Sequence, residues 1–144
     1  MTGSKIMVVD DEAGIRELLS EVLSGKGFNV TSARDGRESL KYMRTDKFDL
    51  LITDINMPHL NGVELLKRMK TAGRKEKVVV MTGGNFDWSE FRKEIPLIYF
   101  QLKKPFKMDE FLRVVSSTLK SRRRTAMAQP AKKTRKKDKK CYTN

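Results

Sequence analysis

The sequence predicts an α/β fold, a doubly wound, five-stranded parallel sheet with helices on both faces. Short apolar runs alternate with segments of helical spacing, and most of these runs stop at polar residues. Strands that alternate with helical segments are typical of βαβ units, whose strands run parallel. The predicted strands lie near residues 5–10, 28–33, 49–53, 77–82 and 97–102.

Each element follows from its own local pattern. Residues 6–9 are continuously apolar, as expected for a strand that is buried on both faces. Residues 108–120 carry the apolar spacing of a final helix. Turn and capping residues mark the ends of the earlier helices, namely Gly25, Gly27, Asp35, Gly36, Asn61 and Gly62.

The chain divides into a domain and a basic tail. Residues 1–120 have the size of one ordinary domain with a single core. Residues 121–144 hold ten of the 31 basic side chains and one of the 18 acidic ones, so most of the +13 net charge belongs to the tail. Blocks of like charge repel and cannot bury a core, and we therefore expect a disordered extension.

The composition of the tail predicts, at most, nonspecific binding to an anionic partner. A run of Lys and Arg can bind phosphates, and both nucleic acid and an anionic membrane surface remain open as partners. Interleaved aromatic residues and a recognition helix are missing, so sequence-specific DNA binding is not supported. A solvated extension without a partner is the alternative.

Polar residues follow four of the predicted strands. Asp10 and Asp11 come directly after the first strand, Asp54 closes the third, Thr82 closes the fourth and Lys104 follows the fifth. The carboxyl ends of parallel strands lie on one edge of a sheet, and ligands bind there where the strand order reverses. We therefore expect these side chains to converge.

The three carboxylates predict a magnesium site. Asp10, Asp11 and Asp54 would repel one another and raise each other's pKa unless a cation neutralised them. Mg²⁺ prefers hard oxygen ligands and keeps several waters. The chain has one Cys and one His, so no Cys or His cluster competes for the metal.

Simpler interpretations of the same residues stay open at this point. Asp10 and Asp11 are also favoured as caps of the first helix. Asp54 also suits a turn ahead of Pro58. His59 has no partner cluster and is assigned no role.

The whole set of residues resembles a known family. Asp10-Asp11, the stretch from Asp54 through Met57-Pro58 to Gly62, Thr82, and Lys104-Pro105-Phe106 are similar to the receiver domain of two-component response regulators. The resemblance covers residues 5–120. It implies a flavodoxin-like, chemotaxis-regulator-like (βα)5 fold with strand order 2-1-3-4-5, and a cis peptide bond before Pro105.

The resemblance implies a phosphorylation site with bound Mg²⁺. Asp54 would accept the phosphoryl group from a sensor histidine kinase or a histidine phosphotransfer protein. Asp11 and Asp54 would bind Mg²⁺ directly, Asp10 would hold it through water or a hydrogen bond, and Asn56 would contribute its backbone carbonyl.

Two further residues would contact the phosphoryl group. The resemblance implies that Lys104 pairs with one phosphoryl oxygen and that Thr82 donates a hydrogen bond to another. Lys103 is expected to be a solvent-facing charge. In the apo state the Lys104 ammonium would pair with Asp54 and offset the repulsion among the carboxylates.

The family's usual switch is altered in this chain. In the family, the Thr hydroxyl moves toward the phosphate, and an aromatic residue three positions before the motif lysine follows it inward. In this chain the lysine is Lys104 and the position three before it is Gln101. Alternation places Phe100 on the opposite face from Gln101 and Tyr99 one pleat away. We expect Gln101 to switch by hydrogen bonding, or the readout to use other groups.

The resemblance also implies an output surface. In the family it consists of the fourth helix, the fifth strand and the fifth helix. Trp88 lies where the fourth helix is expected. It is either part of the core or an exposed anchor for an unknown output protein.

The leading function is a single-domain signalling switch that catalyses only its own phosphotransfer and dephosphorylation, and not an enzyme with an outside substrate. A nucleic-acid-associated regulator that uses the basic tail is one alternative. A degenerate receiver that acts as a constitutive scaffold is the other, and it is suggested by Gln101 and the unusual fourth-helix region.

We expect a bacterial, cytoplasmic protein. Cys141 is the single cysteine, which excludes an internal disulfide and fits a reducing compartment. The sequence shows no signal peptide and no apolar run of transmembrane length.

Overall fold

Five parallel strands form one sheet at the centre of the fold. The computed structural model of the chain describes residues 3–57, 59–84, 93, 95 and 97–121. The order across the sheet is β2-β1-β3-β4-β5, as predicted. The strands are β1 (Lys5–Val9), β2 (Asn29–Ala33), β3 (Leu50–Asp54), β4 (Lys77–Thr82) and β5 (Ile98–Lys103).

Helices connect the strands and cover the sheet. They are α1 (Ala13–Gly25), α2 (Gly36–Met43), α3 (Gly62–Thr71) and a C-terminal helix (Met108–Lys120). The predicted fourth helix, with Trp88, lies outside the described residues. Within the described ranges, no helix combines the length and apolar character that a bilayer span requires.

Two helices begin with a side-chain cap, at positions that the sequence marks as helix starts. The Asp35 side chain accepts a hydrogen bond from the Glu38 amide at 2.9 Å, and Asn61 accepts one from the Glu64 amide at 3.0 Å. The cap position of α1 is Glu12, whose side chain makes no capping bond. The interpretation of Asp10 and Asp11 as caps of α1 is therefore wrong.

The core has two layers, one on each face of the sheet. Alternate residues of a strand point to opposite faces, so the same strands supply both layers. One layer packs β-strand residues Met7, Leu51 and Val80 against Leu65 and Met69 of α3. The other packs Ile6, Val8, Ile52 and Met81 against Leu19 and Leu23 of α1 and Phe111 of the C-terminal helix.

A register shift interrupts the pairing of β4 with β5. Val78 pairs with Ile98 and Val79 with Phe100, so the pairing skips Tyr99. The Lys77 ammonium lies 5.4 Å from the centroid of the Tyr99 ring. Tyr99 is therefore near the start of β4 and far from the strand end where Thr82 stands.

Beyond the shift, β5 has regular alternation. Gln101 pairs with Val80 and Lys103 with Thr82, so Gln101 lies on the same face as Thr82. Phe100 packs in the layer on the other face, as predicted. Neither Tyr99 nor Phe100 is positioned beside Thr82 to act as an aromatic switch.

Two backbone features shape the loops after β3 and β5. The Lys104-Pro105 peptide bond is cis, as the resemblance implies. Gly62, at the start of α3, packs directly against the end of β3. A Cβ atom at Gly62 would lie 2.5 Å from the carbonyl oxygen of Asp54 and 2.8 Å from the Cα of Ile55.

Gly62→Ala is expected to destabilise the fold, because the added methyl group overlaps backbone atoms that cannot rotate away. Overpacking of this kind costs about 2 kcal/mol. Urea unfolding followed by circular dichroism measures the change. Gly14→Ala in α1 is the matched control, because nothing lies within 4 Å of its Cβ position. Equal stability of the two variants would contradict the close approach of α3 to Asp54.

Candidate phosphoacceptor site

Three carboxylates meet where β1 and β3 end side by side. Oxygen atoms of Asp10, Asp11 and Asp54 all lie within 4.8 Å of one another. Asp10 is fully buried and Asp54 is 6% exposed, whereas Asp11 faces solvent. The strand order reverses between β1 and β3, which is the place where open α/β sheets bind ligands.

One ammonium group lies between the two buried carboxylates. The Lys104 Nζ donates to Asp10 Oδ2 at 3.0 Å and to Asp54 Oδ2 at 3.2 Å. The Lys104 amide donates to the carbonyl of Thr82 at 2.7 Å, which fixes the loop after β5 against β4. Lys103 is exposed, as predicted, and it is Lys104 that reaches the carboxylates.

The environment of Asp54 opposes ionisation. Burial raises the pKa of its carboxyl group above the usual value, and the nearby charge of Asp10 adds to the rise. The charge and hydrogen bond of Lys104, together with the hydrogen bond from the Ile55 amide, lower the pKa without cancelling the effect of burial. The carboxylate is therefore destabilised, and an added cation would favour its charged form.

The environment of Lys104 favours its charged form. Burial lowers the pKa of the ammonium group, but the hydrogen bond to Asp10 and the charges of Asp10 and Asp54 together raise it above the ordinary value. The resulting stabilisation of the fold is present at neutral pH and is lost only as the pH rises through the raised pKa.

Glu12 and Arg16 fix the position of Asp10 in the turn after β1. Neither residue was predicted from the sequence to belong to the site. Asp10 Oδ1 accepts a hydrogen bond from the Glu12 amide at 2.9 Å. The guanidinium of Arg16 donates to the Asp10 carbonyl oxygen at 2.8 Å. The position of Arg16 in the first turn of α1 could have indicated this contact, because long side chains in a helix lean back toward the helix N-terminus.

Thr82 presents a buried hydroxyl at the same edge of the sheet. It is the last residue of β4 and is 2% exposed. Its Oγ1 has no hydrogen-bond partner among the described residues. An unsatisfied buried hydroxyl costs about 1–3 kcal/mol, so a ligand oxygen placed beside it would recover that energy.

The remaining predicted site residues differ in what the structure shows. Asn56 is exposed in the loop after β3, and the role of its carbonyl stays a prediction. Gln101 is half-buried on the face shared with Thr82. Trp88 lies outside the described residues.

The donor set fits Mg²⁺. All three side chains offer carboxylate oxygens, the hard ligands that this ion prefers. Asp11 is open to solvent, which leaves room for the waters that Mg²⁺ retains. Burial is the main cause of the raised pKa of Asp54, and a cation bound beside this carboxyl group would favour its charged form.

Asp54→Asn is expected to stabilise the metal-free protein at neutral pH by about 1 kcal/mol, a typical single-substitution effect. The folded-state pKa of Asp54 lies above its unfolded value, so the favourable contribution is present at acid pH and is lost as the pH rises through the folded pKa. Urea unfolding with a chelator present tests this. The gain should shrink as the pH is lowered, and a less stable Asn variant at neutral pH would contradict the assignment.

Lys104→Met is expected to destabilise the fold by about 2 kcal/mol or more, because it leaves two buried carboxylates without their cation. Lys103→Met is the matched control and should change stability by less than about 0.5 kcal/mol, as exposed substitutions do. Thermal unfolding at neutral pH measures both. Equal losses of stability in the two variants would show that the pairing of Lys104 with the buried carboxylates does not stabilise the fold.

Comparison with known proteins identifies relatives over most of the chain. The family model for the response regulator receiver domain matches residues 6–116. Sporulation initiation phosphotransferase F of Bacillus subtilis is 36% identical over 121 residues, which cover 83% of this chain and 96% of that protein. The DNA-binding transcriptional regulator NtrC of Rhizobium meliloti is 32% identical, but the match covers only 25% of it.

Solved structures show the same fold. The response regulator TrrA of Thermotoga maritima, in complex with Mg²⁺-BeF, is 32% identical with a TM-score of 0.67, over 80% of this chain and 98% of that one. The receiver domain of the Francisella response regulator 1452 is 26% identical with a TM-score of 0.74, over 82% and 98% of the two chains. The chain therefore belongs to the response regulator receiver domain family.

Proposed function

We propose that the chain is a single-domain response regulator that accepts a phosphoryl group on Asp54. The donor is the phosphohistidine of a sensor histidine kinase or of a histidine phosphotransfer protein. One observation supports this most directly, the buried Asp54 carboxylate that shares the Lys104 ammonium with Asp10. The chain catalyses its own phosphotransfer and dephosphorylation and acts on no outside metabolite.

The reaction is a displacement at phosphorus. A carboxylate oxygen of Asp54 attacks the phosphorus atom and forms an O–P bond as the N–P bond of the phosphohistidine breaks. The electron pair of that bond returns to the imidazole nitrogen of the donor. The product is an acyl phosphate, and the surrounding side chains contribute position and charge.

Each neighbouring residue has a role in this proposal. The Lys104 ammonium pairs with a phosphoryl oxygen, and the unpartnered Thr82 hydroxyl donates to another. Asp11 and Asp54 would bind Mg²⁺ with the Asn56 carbonyl, and Asp10 would act through water or a hydrogen bond. Bound Mg²⁺ neutralises negative charge on the phosphoryl oxygens and carboxylates.

Asp10 is suited to an indirect role because its atoms are already engaged. Its Oδ1 accepts from the Glu12 amide, its Oδ2 accepts from Lys104, and its carbonyl accepts from Arg16. Asp11 is exposed, and its side chain makes no hydrogen bond to any residue that the structure describes. Its carboxylate oxygens are therefore accessible to an ion.

The output is proposed to pass through Thr82 and Gln101. When the Thr82 hydroxyl turns toward the phosphoryl group, the polar environment of the half-buried Gln101 amide changes, because both lie on one face of neighbouring strands. Gln101 then rearranges by hydrogen bonding. The response is read at the face that includes β5 and the C-terminal helix, where an unknown output protein binds. Trp88 is a candidate anchor for that protein.

Phosphorylation by a small donor tests the proposal. The chain is incubated with Mg²⁺ and acetyl phosphate, and its intact mass is measured beside that of Asp54→Asn. We expect a Mg²⁺-dependent gain of one phosphoryl group that hydroxylamine removes, and no gain in the variant. Absence of phosphate on both proteins would favour the constitutive scaffold, and equal labelling of both would place the acceptor elsewhere.

The basic tail supports a second activity, nonspecific binding of nucleic acid. Residues 121–144 hold ten basic side chains and one acidic side chain. Such a segment neutralises phosphates and releases counterions, which makes binding strongly dependent on salt. The tail would localise the receiver and would not select a DNA sequence.

A full-length variant with four tail lysines replaced by Gln, at positions 132, 133, 136 and 137, tests this activity. Fluorescence anisotropy with a labelled DNA duplex is measured over a range of salt concentrations. A plot of log K against the logarithm of the salt concentration has a negative slope, and each lost phosphate contact should make that slope less steep by about 0.9. Absence of binding at low salt, or binding that the substitutions leave unchanged, would exclude the tail as a nucleic-acid contact.

A further inference from the structure

Exposed basic residues collect on the helix layer that covers one face of the sheet. The helices α2 and α3 lie side by side in this layer, where Met43 of α2 and Leu65, Leu66 and Met69 of α3 belong to one core cluster. The sides of these helices that point away from the sheet are exposed. We call this surface the basic helix face, and its cations are Arg37, Lys41, Arg44, Lys67, Arg68 and Lys70.

The helices on the two faces of the sheet differ in charge. Within their bounds, α2 and α3 hold five basic and two acidic residues, a net charge of +3, and adding the flanking Asp35 and Arg44 leaves that value unchanged. By the same count, α1 and the C-terminal helix hold three basic and four acidic residues, a net charge of −1. The positive charge is therefore a property of one helix layer and not of every helix surface.

The cations of the basic helix face have no acidic partner in the part of the chain that the structure describes. None of the six side chains makes an ion pair or a hydrogen bond there. Glu64 stands four residues before Arg68, a spacing that allows an ion pair on a helix, but the two side chains form none. Glu38 accepts a hydrogen bond from the Arg34 amide at 2.7 Å and lies 3.9 Å from the Arg34 guanidinium. The six cations are therefore accessible to an outside anion.

Stabilisation of helix ends explains only part of this charge. Four of the six cations lie in the last turn of a helix or directly after it, where a positive charge interacts favourably with the helix dipole. The other two do not. Arg37 is in the first turn of α2, where a positive charge opposes the dipole, and Lys67 precedes the last turn of α3. The basic helix face is therefore more basic than the helix ends require.

The cations are spread in two directions. Arg37, Lys41 and Arg44 follow one another at intervals of four and three residues, and Arg44 keeps a helical backbone conformation, so the three share one side of the helix over about 10 Å. Helices that pack side by side have axes about 8–10 Å apart, which places the cations of α3 in a second row. The basic helix face is thus a patch about 10 Å wide in each direction.

We propose that the basic helix face binds the phosphate backbone of a nucleic acid duplex. A duplex carries one negative charge per about 1.7 Å of its axis, so on the order of six phosphates lie within the width of this patch. Such contacts are independent of the base sequence. The inference goes beyond the proposed contact of the tail, because it concerns the folded domain alone and needs none of residues 121–144.

The surface chemistry favours nucleic acid over a protein or a membrane. Protein contacts are anchored by aromatic and other large side chains, and membrane contacts by apolar side chains that enter the lipid. Among the described residues, the exposed large apolar side chain is Leu18 of α1, in the helix layer on the other face of the sheet. The basic helix face offers charge without an apolar anchor, and protein–DNA interfaces are polar and positively charged in this way.

Charge neutralisation in the full chain, with the tail intact, tests the inference. The face variant carries Lys41→Gln, Lys67→Gln and Arg68→Gln. The control variant carries the same change in net charge at exposed positions outside the basic helix face that also lack an ion pair among the described residues, namely Lys26→Gln, Arg113→Gln and Lys120→Gln. Thermal unfolding verifies that both variants are folded.

Fluorescence anisotropy with a labelled DNA duplex, measured over a range of salt concentrations, gives the result. The face variant should bind about tenfold more weakly than the unsubstituted chain at low salt, and the negative slope of log K against the logarithm of the salt concentration should become less steep by about two to three. The control variant should change little. Equal weakening of the two variants would overturn the inference, because net charge alone would then explain the loss.

Two further comparisons separate the basic helix face from the other possibilities. If the variant with four substituted tail lysines loses binding and the face variant does not, the tail contact stands and the basic helix face is excluded. If the face variant loses binding while the tail variant keeps it, the face is the contact. Tighter binding of the unsubstituted chain to polyglutamate or to anionic phospholipid vesicles than to the duplex would also overturn the inference.

Discussion

The contact of the Lys104 ammonium with Asp10 and Asp54 is the interaction on which the site depends. It joins the loop after β5 to the ends of β1 and β3, residues 94 and 50 positions apart in the chain. Without this cation, two buried carboxylates would face each other, an arrangement that costs several kcal/mol in proteins. The pKa of Asp54 is nevertheless raised, chiefly because the carboxyl group is buried and in smaller part because Asp10 is close. A further cation at this site would favour the charged form of Asp54.

Parallel topology brings the acidic groups together at one end of the sheet. The strands β1 and β3 end side by side, and the carboxylates of Asp10, Asp11 and Asp54 meet there. The basic character of the chain is concentrated elsewhere, because residues 121–144 hold ten of the 31 basic side chains and one of the 18 acidic ones.

The residues beside Thr82 differ from those that the family's usual aromatic switch requires. Thr82 keeps a buried hydroxyl without a partner, which suits a residue that acquires its bond only when a phosphoryl oxygen is present. The register shift in β5 moves Tyr99 toward Lys77 and leaves Phe100 on the other face. The Gln101 side chain, on the same face as Thr82, is an amide that can both donate and accept hydrogen bonds. The proposed coupling to Gln101 therefore relies on hydrogen bonds rather than on the rotation of a ring.

Local sequence patterns were sufficient to predict the strands, the C-terminal helix, the helix starts near Asp35 and Asn61, and the aspartates and lysine that converge. These features depend on periodicity and on residues at strand ends, and both are readable within short windows. The anchoring of Asp10 by Glu12 and Arg16, the skipped pairing at Tyr99 and the packing of Gly62 against Asp54 depend on how the folded chain brings atoms together. Such contacts exist only once the chain has folded, because the atoms that meet are set by packing in three dimensions and not by spacing along the chain.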